Sequence, residues 1–360
     1  MSLVASCAKV AQAWPVPAEP RPIVAIGAGG IMRSAHFPAY QRLGLPIAGV
    51  FDVEPAVSAA LAADFGVPRV FSSLAQACAV PSAVFDVAVP AGAVASVLRE
   101  LPRGAGVLIQ KPLGRDLAEA RQIAAVCRER QLRAAVNFQL RFSPGMLALR
   151  ALLEQGAFGT VTDLEVRVRT HTPWGLWDFL KHIPRHEIIY HSIHYLDAIR
   201  RLLGEPRSVF ARVTRHPELP EYADVSSVSV LDYGDACRCL VNVCHAHDYG
   251  PEHAASELTV EGTRGAVVLR LGVNLDYPRG LPDRLQLAER GSKSWTEAEL
   301  RGSWFTEAFE GPICNLQRFL AGDDARLESS IDDALRTMAL VEACYESSAR
   351  GGIEPNVTEK

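Results

Sequence analysis

The sequence predicts an α/β fold in two parts: a parallel sheet interleaved with helices, then an α+β domain with a large, predominantly antiparallel open sheet. Three observations lead there. Between residues 22 and 137, short apolar runs alternate with helical stretches of ten or so residues, the texture of βαβ units. The first run, Ile23–Ile26, ends in Gly27-Ala28-Gly29-Gly30 and gives way to a helical pattern. Beyond about residue 140, alternating apolar and polar residues mark half-buried strands instead. At 360 residues the chain exceeds the size at which single cores stop growing. Two domains are expected, 22–137 and 138–360, preceded by an extension over 1–21 that reads as a mobile tail or an accessory helix.

In the first domain, strands are expected at 23–26, 47–51, 84–89, 106–110 and 134–138, with helices at 35–43, 54–65 and 117–131. The turn after the first strand lets backbone N–H groups approach a pyrophosphate at a helix N-terminus. Gly27 and Gly29 occupy the first two positions of a dinucleotide fingerprint, and Gly30 and Ile31 continue the turn. Met32 stands where the third glycine would be, which implies a wider helix approach. Together these features read as a Rossmann dinucleotide-binding domain. Asp52 ends the second strand, 23 residues after Gly29. A carboxylate there accepts ribose hydroxyls and repels a 2′-phosphate, so NAD is favoured over NADP; a turn or capping role is the alternative. Pro90 and Lys111-Pro112 close two further strands at the same crevice. Pro112 biases Lys111 away from helix.

In the second domain, a helix is expected at 144–155 and a strand at 160–170. An irregular stretch over 171–184 carries Trp174 and Trp177, and a helix follows over 187–203. Strands follow at 208–214, 223–233, 236–246, 256–261, 266–270 and 284–288. Asp232-Tyr233-Gly234-Asp235 is a hairpin turn, and helices close the chain at 304–320 and 330–350. On the helix over 187–203, Tyr190 and His194 are four residues apart and share a face, with His191 and Asp197 close to it.

Composition narrows the function. Net charge is −4 with no basic block, so nucleic acid has no electrostatic footprint. No apolar run reaches membrane-spanning length. The eight cysteines are scattered, without a Cys-x-x-Cys, and read as free thiols in a reducing, cytoplasmic compartment. Cys237 and Cys239 are expected to share one face of a strand. Two groups, Glu187 with His191 and His194, and His245 with His247, Asp248 and His253, contain metal-ligating types. No metal is expected, because a nicotinamide redox site with Lys111 does not need one.

These features together resemble the glucose–fructose oxidoreductase / inositol dehydrogenase / rhizopine catabolism (Gfo/Idh/MocA) family. The likeness spans Ile23 to Gly352. It rests on Gly27-Ala28-Gly29-Gly30-Ile31 with His36, on Asp52, on Lys111-Pro112, on Asn137 to Phe142, and on His194-x-x-Asp197. The resemblance implies an NAD(P)-dependent oxidoreductase acting on a sugar-like small molecule, and a homodimer or homotetramer packed through the second sheet. It places the family's lysine on Lys111 and its catalytic histidine on His194. Tyr190 stands where the family often has Asp, and Gln110 replaces the motif's glutamate.

The expected chemistry is hydride transfer between a carbinol carbon and the nicotinamide. His194 is the preferred base, since imidazole titrates near neutrality, with Tyr190 as runner-up or relay. Lys111 is expected to hold the substrate oxygen and to depress the Tyr190 phenol's pKa. Arg141, Trp174, Trp177 and His191 are candidate substrate contacts, with Trp304 and Phe305 a weaker suggestion. The alternatives are a non-catalytic dinucleotide-binding regulator and an oxidoreductase that retains its cofactor tightly.

Overall fold

The computed structural model describes residues 2–355. The chain opens with α1 (Leu3–Cys7), capped by the Ser2 side chain. Residues 1–21 were expected as a tail or accessory helix. The described part is a strap laid across the second half of the molecule. The backbone N–H of Leu3 donates to Glu289, Gln12 bonds to the backbone of Glu299 and Arg301, and the indole N–H of Trp14 donates to Asp324 at 2.8 Å.

Five parallel strands follow: β1 (Ile23–Ile26), β2 (Ile47–Phe51), β3 (Val84–Val87), β4 (Gly106–Gln110) and β5 (Arg133–Asn137), in spatial order β2-β1-β3-β4-β5. The order reverses between β1 and β3, which opens a crevice at their carboxyl ends. α2 (Phe37–Arg42), α3 (Pro55–Phe65), α4 (Leu74–Cys78), α5 (Ala91–Glu100) and α6 (Leu117–Glu129) connect and cover them. α4 and α5 are not expected from the sequence, since α5 contains Gly92, Val94 and Val97, all weak helix formers. The strand expected over 84–89 ends at Val87, and the helix expected over 35–43 is a π turn (Met32–His36) followed by α2. Met32 is fully buried against Ala25, Phe37, Val50 and Leu61. A side chain of that size in place of glycine occupies the helix–sheet contact just where the helix start is widened.

After β5 the chain crosses to an eight-stranded sheet. Its elements are α7 (Pro144–Glu154), β6 (Val161–Arg169), α8 (Ile193–Leu203), β7 (Ser208–Thr214), β8 (Ser226–Asp232), β9 (Arg238–Cys244), β10 (Ala255–Gly262), β11 (Gly265–Arg270), β12 (Arg284–Glu289) and β13 (Thr296–Ala298). Every neighbouring pair is antiparallel except β6 with β9. Burial alternates along these strands, so one face meets helices and the other is open. The expected strands over 223–233 and 236–246 are shorter at both ends. Cys237 therefore lies in the turn before β9, and only Cys239 points into the core. All eight cysteines are free, and no helix among the described residues is long and apolar enough to cross a membrane.

α9 (Glu310–Ala321) and α10 (Ile331–Arg350) return to the first sheet. Ile313, Cys314 and Leu316 pack on Ile23, Val84, Leu108 and Ala135. A Cβ at Gly106 would meet Leu320 at 2.4 Å, so glycine there lets α9 lie close to β4. The helix expected over 304–320 begins only at 310, after a 3-10 turn.

The crossover is fixed by Arg141. Its guanidinium is buried and bonds both carboxylate oxygens of Asp197 on α8, Asp333 on α10 at 2.6 Å, and the carbonyl of Glu328 at 2.7 Å. Thr337 donates to Asp197 at 2.8 Å. Removing one partner of such a cluster leaves an uncompensated buried charge. Arg141→Ala is expected to destabilise the protein by about 3–5 kcal/mol, read by urea denaturation. A loss within about 0.5 kcal/mol, as for an ordinary surface substitution, would refute the clamp.

Candidate active site

The crevice at the switch between β1 and β3 is shaped for a dinucleotide. Gly27 has φ +96°, and a Cβ there would meet the Ala88 carbonyl at 2.3 Å, so only glycine fits. Gly29 and Gly30 differ: a Cβ at either would meet nothing within 4 Å. Packing does not require glycine at those two, and their bare backbone leaves room for a pyrophosphate at the helix start. Ile31 follows at the head of the π turn. Asp52 accepts from the Ala28 N–H at 2.7 Å and from the Glu54 N–H at 2.9 Å. It therefore ties the glycine turn to the start of α3, the turn role weighed as the alternative, with carboxylate lone pairs left for ribose hydroxyls. Pro90 caps α5 beside this crevice.

Lys111 follows β4 and reaches toward α8. Its Nζ donates to the Tyr190 carbonyl at 2.7 Å. Tyr190 lies in a π turn (Ile188–Ser192) that precedes α8; such turns disturb the regular i→i−4 ladder and recur at functional sites. Burial lowers the Lys111 pKa to about 7. The His194 imidazole is 7 % exposed, and burial first, then the nearby Lys111 charge, hold its pKa well below 6.5. It is a neutral imidazole across the physiological range, with a buried Nδ1 that has no protein partner.

The remaining expected site residues divide. Tyr190 packs on Phe179, and its phenol is influenced by Glu119 and Arg115; burial raises its pKa, opposite to the depression by Lys111 that the sequence suggested. Arg141 is spent on Asp197, Asp333 and Glu328 and is a clamp rather than a substrate contact. Trp174 is core: its ring is enclosed by His186, His191, Tyr222 and His245. His191 faces that same cluster, and burial followed by His245 holds it neutral. Trp177 lies half-buried against Tyr277, and Trp304 packs edge-on against His194 at 5.3 Å. Among the described residues, no group of three or more His, Cys, Asp and Glu side chains is placed to hold a metal ion. His245 instead bonds Thr172, and His247 accepts from Arg169.

Sequence reasoning did not single out one buried network beneath the site. His36 contacts Asp86 at 2.7 Å through Nδ1, and Tyr40 donates to the same Asp86 oxygen at 2.6 Å. The Asn137 amide lies 3.1 Å from His36 Nε2 and donates to Gln110 at 2.9 Å. Gln110 adjoins Lys111, so the network anchors the end of β4. The overlooked signal was Asp86, a carboxylate inside an otherwise apolar strand, where burial demands partners.

Comparison with known proteins accords with this geometry. A model of an oxidoreductase family with an NAD-binding Rossmann fold matches residues 22–138, and the GFO/IDH/MocA C-terminal domain matches 146–268. The chain belongs to the GFO/IDH/MocA oxidoreductase family. It is similar to D-apiose dehydrogenase of Paraburkholderia graminis, at 27% identity over 91% of this chain and 87% of that protein. It is also similar to inositol 2-dehydrogenase of Rhizobium meliloti, at 25% identity over 90% and 96%. An Agrobacterium radiobacter oxidoreductase solved with NAD+, L-tartaric acid and magnesium shares the fold, with a TM-score of 0.77, 23% identity, and coverage of 93% of this chain and 98% of that one. The chain is thus an NAD(P)-dependent oxidoreductase, with the expected parallel and mostly antiparallel sheets.

Lys111 gives a signed prediction for stability. Between about pH 7 and the ordinary lysine value of 10.5, the unfolded chain holds a proton that the folded chain has lost. Stability attributable to this group therefore rises with pH through that window, and below it the fold bears the full cost of the buried charge. Lys111→Met is expected to be more stable than the parent at pH 6, with the advantage shrinking above pH 7. Denaturation curves at several pH values test this, and a pH-independent difference would contradict it.

Proposed function

We propose that this enzyme moves a hydride between the nicotinamide and a hydroxyl-bearing carbon of a neutral sugar, polyol or related small molecule, with NAD preferred over NADP. The supporting observation is a lysine whose pKa burial lowers to about 7, near a histidine whose pKa burial holds well below 6.5, at the mouth of a crevice built for a dinucleotide. The D-apiose and inositol relatives support the substrate class. Gly27, Gly29, Gly30, Ile31 and Pro90 would line the cofactor, and Asp52 would repel a 2′-phosphate.

The chemistry supplied by the bound nicotinamide is hydride acceptance or donation. The chain supplies the proton chemistry. Lys111 as a neutral amine keeps an N–H for the Tyr190 carbonyl and offers its lone pair to the substrate hydroxyl. A base titrating near the working pH is best matched to this transfer. The lowered pKa of His194 makes it the weaker acceptor, so the two residues exchange the parts expected from sequence. His194 orients the hydroxyl by hydrogen bonding, and reduction of the carbonyl reverses each transfer.

The test follows reduced-cofactor absorbance with aldoses, polyols and sugar acids, using NAD and NADP. Turnover is expected with NAD and a neutral substrate, and kcat/KM for oxidation should rise to a plateau near pH 7. Lys111→Arg keeps the charge but cannot give up its proton, and should lose about 10²–10⁴-fold, as should Lys111→Ala; His194→Ala should also lose activity. A Lys111→Arg enzyme retaining most activity, or a parent rate falling above pH 7, would assign Lys111 to charge stabilisation instead.

The open face of the second sheet supports assembly into a homodimer or homotetramer. Phe210 is 69% exposed there, opposite Val230 and beside Val228. Phe210→Glu is expected to lower the mass measured by light scattering; an unchanged mass would rule this face out.

A further inference from the structure

Two arcs of aromatic side chains leave the reacting pair. From Lys111, Nζ lies 6.0 Å from the Tyr190 ring centre, and Tyr190 meets Phe179 at 5.6 Å. From His194, the ring meets Trp304 at 5.3 Å; the adjoining Phe305 meets Tyr277 at 6.1 Å, and Tyr277 meets Trp177 at 5.1 Å. Trp177 and Phe179 flank Asp178 on one short segment, so both arcs, joined by chain adjacency at Trp304–Phe305 and at Trp177–Phe179, end there and together make up a collar. Phe179 is 51% exposed and Leu176, on the same segment, is 56% exposed.

Lys111 is assigned to the reacting hydroxyl, and four other cations are already paired with carboxylates. Lys181 bonds Asp178 at 2.9 Å, Arg115 bonds Glu119 at 3.0 Å, Arg279 pairs with Asp276, and Arg141 is locked in its buried cluster. A carboxylate or diphosphate on the substrate would need free donors of this kind. An apolar ring would not: aromatic faces and edges favour offset or edge-on contact with another ring. The collar also extends two ring contacts outward from Lys111, beyond what the floor of the site needs to hold one hydroxyl-bearing ring.

We propose that the collar is an outer subsite for a flat apolar group. The preferred substrate is then a neutral aryl-substituted sugar or polyol rather than a free sugar, a sugar acid or a nucleotide sugar. This rests on the hydride-transfer reading for the inner part of the site, while the subsite itself can be tested without turnover.

The probes are phenyl and methyl β-glycosides of D-glucose, D-galactose and D-xylose, titrated calorimetrically into the full-length protein with NAD present. In at least one pair the phenyl compound is expected to bind about tenfold tighter, from burial of the ring. Phe179→Ala should bring that ratio toward unity while methyl glycoside affinity holds, and Trp177→Ala should also bring the ratio toward unity; circular dichroism checks that the variants fold. Phenyl compounds that bind no tighter than methyl in all three pairs, or not at all, overturn the subsite, as does a ratio that survives both substitutions. A phenyl preference in a protein that turns over none of the compounds keeps the subsite and counts against the hydride reading alone.

Discussion

The position of α8 relative to the end of β4 decides whether Lys111 and His194 can meet, and one buried guanidinium sets it. Arg141 sits at the crossover between the sheets and holds Asp197, one turn beyond His194, together with Asp333 on α10. A guanidinium suits this junction because it is always charged and presents donors in a rigid fork. Two carboxylates and a carbonyl meet it from three separate elements, so the helix carrying His194 is located against both halves of the molecule. Lys111 then needs only a short reach to the Tyr190 carbonyl.

Burial around that meeting point acts in the same direction on both bases. It removes the proton from Lys111 near neutrality and keeps His194 unprotonated. Two nearby cations would repel, and a low-dielectric site disfavours the charged form of each. Beneath them, the His36 contacts with Asp86 and Asn137 and the Asn137 bond to Gln110 tie the end of β4 to its neighbours β3 and β5.

Much of this was legible in the residues. The bounds of β1, β2, β4 and β7 follow directly from apolar runs and their turns. Gly29 and Gly30 stood out because local packing does not ask for glycine there, and Lys111 because it is a cation closing an apolar strand. Errors arose where partners are distant in sequence. Arg141 and Trp174 look like ligand contacts on a list of polar and aromatic residues, but Asp333 and His245 claim them. The face shared by Tyr190 and His194 was inferred from a regular helix, and a π turn intervenes. The pKa shifts of Lys111 and His194 were not legible for another reason: burial is a property of the assembled site, and reference pKa values carry none of it.

The strap of residues 3–21 and the return of α9 and α10 have a consequence for how the chain is made. α1 rests beside β12 and β13, while β4 and β5 wait for α9 to cover them. The first sheet thus lacks one of its walls until some two hundred residues later, and the opening helix has nowhere to dock until the sheet's far edge exists. Neither half is complete during synthesis. The final cooperative step must therefore close contacts between opposite ends of the chain, and such long loops slow folding and prolong the exposure of apolar surface. An enzyme with two sheets is in this respect a single folding unit.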